Sequence, residues 1–200
     1  MTNIVAITGA GISKASNIPT FVEMRNIRDK LTRNYFRKNP KDFYESILVM
    51  KNKIDKAEPN DAHMALFEYD VPIITMNIDG LHTKAGSKKT LEVHGNLKFV
   101  FCKKCKEKYN FDVVKKSINC PKCGEIIESN VVLYGDKIRN FIESLNLVNK
   151  ADRLLVVGTS FYTSTVNQMV YEANKHNIPV DIINEYAETK VRKYLEEIYN

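Results

Sequence analysis

The sequence has no tryptophan and no apolar run near the roughly 18 residues that a membrane-spanning helix needs, so we expect no membrane association. Its first residues, MTNIVAITGAG, lack the charged and long apolar segments of a secretory signal, which predicts a cytoplasmic protein. The chain is not poor in core-forming residues, since 44% of its 200 residues are hydrophobic. This composition excludes a low-complexity or disordered chain and allows one domain, with or without an insertion.

Acidic residues are fewer than basic ones, which leaves a net charge of +6 and a pI of about 9.0. The basic excess is spread along the chain but is densest in the stretches RNIRDKLTRNYFRK and KKCKEK. Neither stretch belongs to a recognisable nucleic-acid-binding module, so a nucleic-acid partner is disfavoured. We interpret most of this charge as solvent-exposed.

Short apolar runs rich in β-branched residues alternate with amphipathic segments. Four of the runs lack clean alternation, which is typical of strands covered on both faces. The helical pattern is clear after Asn39-Pro40, again from Ile138, and again from Val191. This order predicts an α/β fold with a Rossmann-like, doubly wound parallel sheet. The predicted strands are Ile4–Thr8, Val71–Thr75, Lys98–Phe101, Val131–Leu133, Leu154–Val157 and Val180–Ile183.

Cysteine is scarce, and all four cysteines lie in the segment that interrupts this alternation. They form two C-x2-C pairs, whose thiolates can bind one Zn²⁺ tetrahedrally. Two disulfides are the alternative, which the reducing cytoplasm disfavours. Four protein ligands leave no open position, so the predicted zinc is structural. The predicted ligands are Cys102, Cys105, Cys120 and Cys123.

The position of these cysteines also predicts the domain organisation. Residues 99–130 would form a small zinc-binding module inserted into a Rossmann-like domain. That domain would comprise residues 1–98 and 131–200, with the helical segment at about 22–60 belonging to the small subdomain.

Glycines are few, but two of them follow the first predicted strand in the turn TGAGISKAS. Such a turn lets the backbone approach a phosphate. The third glycine of a dehydrogenase motif is replaced by Lys14, and no clear ribose-binding acid lies about 20 residues on, so a plain dehydrogenase is disfavoured. Because parallel strands end at one edge, we expect four segments to line a common nucleotide crevice. They are Gly9–Ser13, Asn77–Asp79, Gly158–Ser160 and Asn184.

The four histidines occupy different contexts. His63 lies on a predicted amphipathic helix and His82 in a turn, and we interpret both as structural. His176, at a helix end, is interpreted as solvated. His94 differs because it lies in EVHGN, immediately before the cysteine segment, where a cleft between the two modules is expected.

The ordered set of motifs resembles the sirtuins, the Sir2 family of NAD-dependent protein lysine deacylases. The matching stretches are GAGIS, SNIPTF, EPNDAH, NIDGLH, AGS, EVHGN, the two C-x2-C pairs, VVLYGD, GTS and IIN. The resemblance implies that NAD binds between the Rossmann-like domain and the zinc module. It also implies an acyl-lysine protein substrate that adds as an extended strand near Gly135 and the turn after Ser160. Neutral acyl groups, acetyl above all, are favoured.

The resemblance further implies residue roles. His94 would be the general base, and Asn77 and Asp79 would hold the nicotinamide ribose and carboxamide. The implied cofactor-binding residues are Gly9, Ala10, Gly11, Ile12, Ser13, Phe21, Met76, Asn77, Ile78, Asp79, Gly158, Thr159, Ser160 and Asn184.

The chain departs from the family pattern at several positions. Val22 replaces an arginine of the cofactor-binding loop, for which Arg25 and Arg28 are candidate substitutes, and Met76 replaces a glutamine. Tyr134 and Asp136 replace the phenylalanine and glutamate of the usual FGE. These departures keep two alternatives open: an ADP-ribosyltransferase or NAD hydrolase using the same pocket, and a weakly active module that binds NAD or ADP-ribose. The other departures are Asn17 for a glycine and Thr165 for a proline.

Overall fold

The computed structural model describes residues 2–20, 23–160 and 164–199. These residues form two β-sheets. The larger sheet has five strands, all parallel, and the smaller has three antiparallel strands. Most strands are only two to five residues long, so the sheets depend on side-chain packing for stability. In chain order the strands are β1 (Ile4–Thr8), β2 (Ile73–Thr75), β3 (Thr90–Glu92), β4 (Phe99–Phe101), β5 (Lys108–Asn110), β6 (Glu128–Ser129), β7 (Arg153–Val157) and β8 (Val180–Ile183).

The helices begin and end at residues with the expected local chemistry. Thr32 caps a helix through its hydroxyl, and Pro40 occupies the first turn of the longest one. No helix in the described ranges is both long and apolar enough to cross a bilayer. The α-helices are α1 (Arg25–Arg28), α2 (Arg33–Lys38), α3 (Pro40–Ile54), α4 (Asp61–Glu68), α5 (Leu81–Ala85), α6 (Phe141–Val148), α7 (Ser164–Lys175) and α8 (Ala187–Tyr199); 3-10 helices cover Ala10–Ser16 and Phe111–Lys115.

The central strands of the parallel sheet are buried on both faces. In β1, Ile4 and Ala6 join an apolar cluster that includes residues of α4 and α8, whereas Val5 and Ile7 join a cluster with residues of α6 and α7. All four side chains are fully inaccessible to solvent. Successive residues of a strand point to opposite faces, so helices on both sides explain the lack of apolar alternation. The predicted doubly wound α/β architecture is confirmed.

The strand order indicates the edge of the sheet at which a ligand would bind. The parallel sheet runs β3-β2-β1-β7-β8, so the chain winds in opposite directions on the two sides of β1. Open α/β sheets bind ligands outside the carboxyl ends of the strands at such a switch point. The loops after β1 and β7 meet there.

The small antiparallel sheet, in the order β5-β4-β6, packs against α2 and α3 rather than against the parallel sheet. Tyr44 of α3 is buried, and its hydroxyl donates to the Ile127 carbonyl at 2.7 Å. Its ring lies 6.5 Å from that of Phe111, measured between centroids. The helical segment and the cysteine-containing segment therefore share one hydrophobic core.

Several boundaries predicted from the sequence were wrong. Val131–Leu133 forms no strand, because its amides bind the Ser129 hydroxyl, the His94 carbonyl and a carboxylate of Asp136 one at a time. The strand of this region is β6, immediately upstream. The strands β3 and β5 were not predicted, since three residues carry too little periodicity. Ile138 precedes α6 instead of lying within it.

Candidate active site and metal centre

Polar residues from all five parallel strands meet at the carboxyl edge of the sheet. The Asn77 side-chain amide donates to the Gly9 carbonyl at 3.1 Å, joining the segments after β2 and β1. The Thr159 amide donates to the Asn184 side-chain oxygen at 3.0 Å, joining those after β7 and β8. The four segments predicted to converge lie together at this edge. His94, two residues beyond β3, completes the edge.

The backbone loops after β1 and β7 touch directly. The Gly11 amide donates to the Gly158 carbonyl at 2.7 Å. A Cβ at Gly11 would lie 2.6 Å from the Gly158 Cα, and a Cβ at Gly158 would lie 2.2 Å from the Ile12 nitrogen. Gly158 also has φ +62°, which favours glycine. Close backbone approach of this kind suits a loop that receives a phosphate.

Ser13, Asn77 and Asp79 form a hydrogen-bonded cluster at the centre of the edge. The Ser13 hydroxyl donates to Asp79 Oδ2 at 2.8 Å and accepts from the Asn77 amide at 3.2 Å. The Leu81 amide donates to Asp79 Oδ1 at 2.9 Å. Burial raises the pKa of Asp79, while the bonds from Leu81 and Ser13 oppose that shift. The cluster offers an oriented amide and a carboxylate to a ligand with both polar and cationic groups.

His63 contacts this cluster through Ser13. Its Nδ1 lies 3.3 Å from the Asn60 backbone nitrogen and 3.1 Å from the Asn60 side-chain oxygen, and its Nε2 lies 3.4 Å from the Ser13 hydroxyl oxygen. Burial lowers the pKa of His63 to about 4, so the ring is neutral at pH 7. The sequence interpretation of His63 as structural did not include this contact with Ser13. The signal lay in Asn60 and His63, which form the N-terminal capping box of α4.

His82 lies beside His63, with ring centroids 4.8 Å apart, and points toward β1. The Thr8 hydroxyl donates to the Thr75 hydroxyl, so it accepts a hydrogen bond from His82 Nε2 at 2.9 Å. Its Nδ1 atom has no hydrogen-bond partner among the residues that the structure describes, and burial holds the pKa of His82 well below its usual value. His82 therefore links α5 to the sheet as a neutral, buried ring.

His94 is partly buried and held by one specific bond. Its Nδ1 lies 3.1 Å from the Met76 carbonyl oxygen, which can only accept, so Nδ1 carries the proton. The Nε2 atom is then unprotonated and able to accept a proton. Burial lowers the pKa of His94, although the bond to Met76 opposes the shift, so the ring is neutral at pH 7. A neutral imidazole with a free Nε2 has the form required of a general base.

The remaining predicted cofactor residues occupy different environments. Met76 packs its side chain into the apolar cluster of β1, β2 and β7, so only its backbone faces His94. Ile78 belongs to the core shared with the helical segment. Ala10 and Ile12 lie in the 3-10 helix after β1, and Ser160 is exposed at the end of its loop. Phe21 and Val22 lie outside the described residues.

The four cysteines come together in the inserted segment. Their sulfur atoms all lie within 4.8 Å of one another, with Cys102–Cys123 and Cys105–Cys120 both at 3.5 Å. Four sulfurs about 2.3 Å from a central Zn²⁺ lie about 3.8 Å apart in a tetrahedron, so the thiols fit this ion. None of the four is in a disulfide.

Each cysteine pair sits in a knuckle with the same backbone bonds. The Cys102 amide donates to the Glu107 carbonyl and the Lys106 amide to the Cys102 carbonyl. The Cys120 amide donates to the carbonyl of residue 125, and Gly124 closes the second knuckle. The closing residues, Lys106 and Gly124, have φ of +63° and +74°. The two cysteine pairs therefore lie in turns of the same backbone geometry.

Comparison with known proteins decides the family. The model of the Sir2 family matches residues 9–165, which is more than half of the chain. The chain belongs to the Sir2 family. Among its sirtuin relatives is an NAD-dependent protein deacetylase of Sulfurisphaera tokodaii, 35% identical over 222 residues that cover 98% of this chain and 88% of the relative. An NAD-dependent protein deacylase of Pyrococcus abyssi is 38% identical, covering 79% and 72%.

Solved sirtuin structures share the whole fold. A structure described as Sir2 bound to acetylated peptide has a TM-score of 0.86 and 27% identity, covering 98% of this chain and 93% of that one. The sequence resemblance drawn from ordered motifs is thereby confirmed.

Proposed function

We propose that this sirtuin is an NAD-dependent protein lysine deacylase, which removes acyl groups from lysine side chains, releases nicotinamide and passes the acyl group to ADP-ribose. The observation that carries the proposal is the juxtaposition of His94 with the Ser13, Asn77 and Asp79 cluster at the sheet's carboxyl edge. The names of the relatives from Sulfurisphaera tokodaii and Pyrococcus abyssi support it.

Bound NAD would supply a nicotinamide–ribose bond whose cleavage creates the acyl acceptor. The polar cluster suits the nicotinamide end, because Asn77 and Asp79 present an oriented amide and carboxylate without a competing nucleophile. The glycine contact between Gly11 and Gly158 suits the phosphates. We assign the cofactor site to this edge, including Gly9, Ala10, Ile12, Ser13, Met76, Ile78, Thr159, Ser160 and Asn184.

His94 would act as the general base. The Met76 carbonyl fixes the proton on Nδ1, which leaves Nε2 to take a proton from a ribose hydroxyl. The neutral state persists at pH 7, since burial lowers the pKa of His94. Met76 contributes through its backbone carbonyl, which a different side chain at this position would still provide.

The cysteine centre would be structural. Four thiolates complete a tetrahedral Zn²⁺ shell and leave no position for water or substrate. We therefore propose that residues 99–130, together with the helical segment at about 22–60, form a small lobe opposite the Rossmann-like domain. Reduced thiols agree with a cytoplasmic location.

The substrate would be an acyl-lysine peptide in an extended conformation. The solved relative bound to an acetylated peptide supports this class of substrate. Gly135 and the segment after Ser160 are the proposed flanking segments, although residues 161–163 lie outside the described residues. Backbone pairing would make recognition tolerant of sequence. We propose acetyl as the preferred acyl group.

The test follows three products in one incubation with NAD and an acetylated peptide: deacetylated peptide, nicotinamide and acetyl-ADP-ribose. All three should form in wild-type protein, and His94→Ala should lower their rate at least about 100-fold. His176→Ala is the matched control, since His176 is exposed directly after α7 and its loss should leave the rate unchanged. Deacetylation that survives His94→Ala would refute the proposal, and nicotinamide release without peptide turnover would indicate an NAD hydrolase.

A further inference from the structure

Arg33, the first residue of α2, is a charged residue whose side chain is only 17% exposed. Its guanidinium binds Asp136 with both prongs of the fork: Nε lies 2.8 Å from Oδ1, and Nη2 lies 2.7 Å from Oδ2. The third nitrogen, Nη1, lies 2.5 Å from Oε2 of Glu128. A bidentate pair fixes the orientation of the carboxylate as well as its position. Arg33 thus holds two acidic side chains from separate segments.

Asp136 in turn shapes the loop that contains it. Its Oδ2 accepts from the Leu133 amide at 3.0 Å, and its own amide donates to the Leu133 carbonyl at 2.8 Å. Burial alone would raise the pKa of Asp136, but the bonds from Arg33 and Leu133 outweigh it and keep the carboxyl ionised. The turn from Leu133 to Asp136 therefore depends on a carboxylate that Arg33 orients.

The backbone next to Arg33 pairs with the same turn. The Tyr134 amide donates to the Leu31 carbonyl at 2.9 Å, and the Arg33 amide donates to the Tyr134 carbonyl at 3.0 Å. These two bonds form a short parallel bridge between Thr32 and Tyr134. One side of the turn is consequently occupied by the chain itself.

The other side of the turn is open. Gly135 is exposed, and within the described part of the chain its backbone amide and carbonyl have no hydrogen-bond partner. An extended peptide can add to such an edge through main-chain bonds. Gly135 is the segment at which the proposed function places the acyl-lysine peptide, and Arg33 lies behind it.

Glu128 connects this arrangement to the metal module. It lies in β6 with its side chain 11% exposed, and its second oxygen is 2.8 Å from Lys103 Nζ. Lys103 follows Cys102 within the first knuckle. The Arg33 guanidinium therefore connects β6 of the small antiparallel sheet to the Leu133–Asp136 turn. This contact links the metal module to the segment at which the peptide would bind.

We propose that Arg33 is a positioning residue for the substrate, holding the Leu133–Asp136 turn in the geometry that pairs with the acyl-lysine peptide. The inference rests on the proposed deacylase function. Lysine cannot replace the arginine, because a single ammonium cannot make the two parallel bonds to Asp136 while also reaching Glu128. The basic stretch around Arg33 thus includes one buried residue with a defined task.

The test compares Arg33→Lys with Arg37→Lys, an exposed arginine on the same helix. Arg33→Lys should raise the KM for acetylated peptide about tenfold, whereas kcat and the KM for NAD should change less than about twofold. Arg37→Lys should change none of them. Zinc content and thermal unfolding of each variant report whether the fold is intact.

Asp136→Asn provides a second route that retains the arginine. It should raise the peptide KM, and the double variant should be no worse than Arg33→Lys alone, since the Arg33–Asp136 pair is already broken in that variant. An unchanged peptide KM, an equal rise in the KM for NAD, or additive effects would overturn the positioning role. If wild-type protein shows no NAD-dependent deacetylation, the proposed function itself fails; if wild type is active and only these variants behave as wild type, this inference alone fails.

Discussion

The carboxyl edge of the parallel sheet and the cysteine module achieve order in different ways. At the edge, Ser13 and Asn77 follow strands whose apolar residues are fully buried, and His94 follows a half-buried strand. In the module, strands of two or three residues pack against helices on one side, and four thiols converge on the other. The edge is therefore ordered by apolar packing on both faces of its central strands, whereas the module combines a core shared with the helical segment and four thiols that fit a metal ion. Substitutions can separate the two.

The largest effect is expected from Cys120→Ser. Loss of one thiolate opens the tetrahedral shell, so zinc content and the folding yield should fall together, with the free energy of unfolding reduced by about 5 kcal/mol or more. Metal analysis and urea unfolding measure both quantities. Lys104→Ser, an exposed change inside the first knuckle, is the control and should retain zinc. Full activity in a metal-free Cys120→Ser protein would contradict the structural role.

The corresponding test at the sheet edge is Gly158→Ala. The new Cβ would lie 2.2 Å from the Ile12 nitrogen at a φ of +62°, so the two loops must separate. We expect a loss of about 3 kcal/mol in the free energy of unfolding and weaker NAD binding, with zinc content unchanged. Calorimetric titration with NAD and metal analysis distinguish these effects. Tight NAD binding in this variant would show that the loop contact is not part of the site.

The pH dependence of stability tests the sheet edge through His63. Its folded-state pKa is about 4, below the unfolded value near 6.5, so the unfolded chain binds more protons between them. Stability present at higher pH is therefore lost as pH falls through this range, by about 2 kcal/mol from about pH 7.5 to about pH 5. Urea unfolding of wild type and His63→Gln measures the difference. An unaltered slope in His63→Gln would contradict the prediction.

The smallest effect concerns the two knuckles. Lys106 adopts φ +63° without the freedom of glycine, so Lys106→Gly should increase the free energy of unfolding by up to about 1 kcal/mol. Gly124→Ala is the reciprocal change and should decrease it by about 1 kcal/mol, since an added Cβ there meets no atom within 4 Å and only φ opposes it. Thermal unfolding of the zinc-loaded variants measures both. Changes of the same sign would show that the knuckles are not equivalent.

Much of the fold and the site could be predicted from the sequence for identifiable reasons. Unbroken apolar runs such as Ile4–Thr8 indicate buried strands, and the spacing of the cysteines indicates a metal centre. Convergence of Gly9, Asn77 and Asn184 follows from parallel topology alone. These features depend on local pattern or on one global rule.

Other features depend on contacts between distant residues. The bond from His63 to Ser13 spans 50 positions, and the pairing of Arg33 with Asp136 spans 103. From the sequence alone, the side chain of Met76 could face either the cofactor or the core. The sequence does not show how the backbone is oriented after β2 ends. Strands of three residues, such as β3, form because neighbours supply partners rather than because their sequence favours extension.

The measurement that tests the central claim most directly is the ratio of nicotinamide released to lysine deacetylated in a single turnover. Chemistry at the sheet edge predicts one nicotinamide for each acetyl group removed and no deacetylation without NAD. Deacetylation in the absence of NAD, or with no nicotinamide released, would place the chemistry elsewhere, for example at the metal, and would contradict the account.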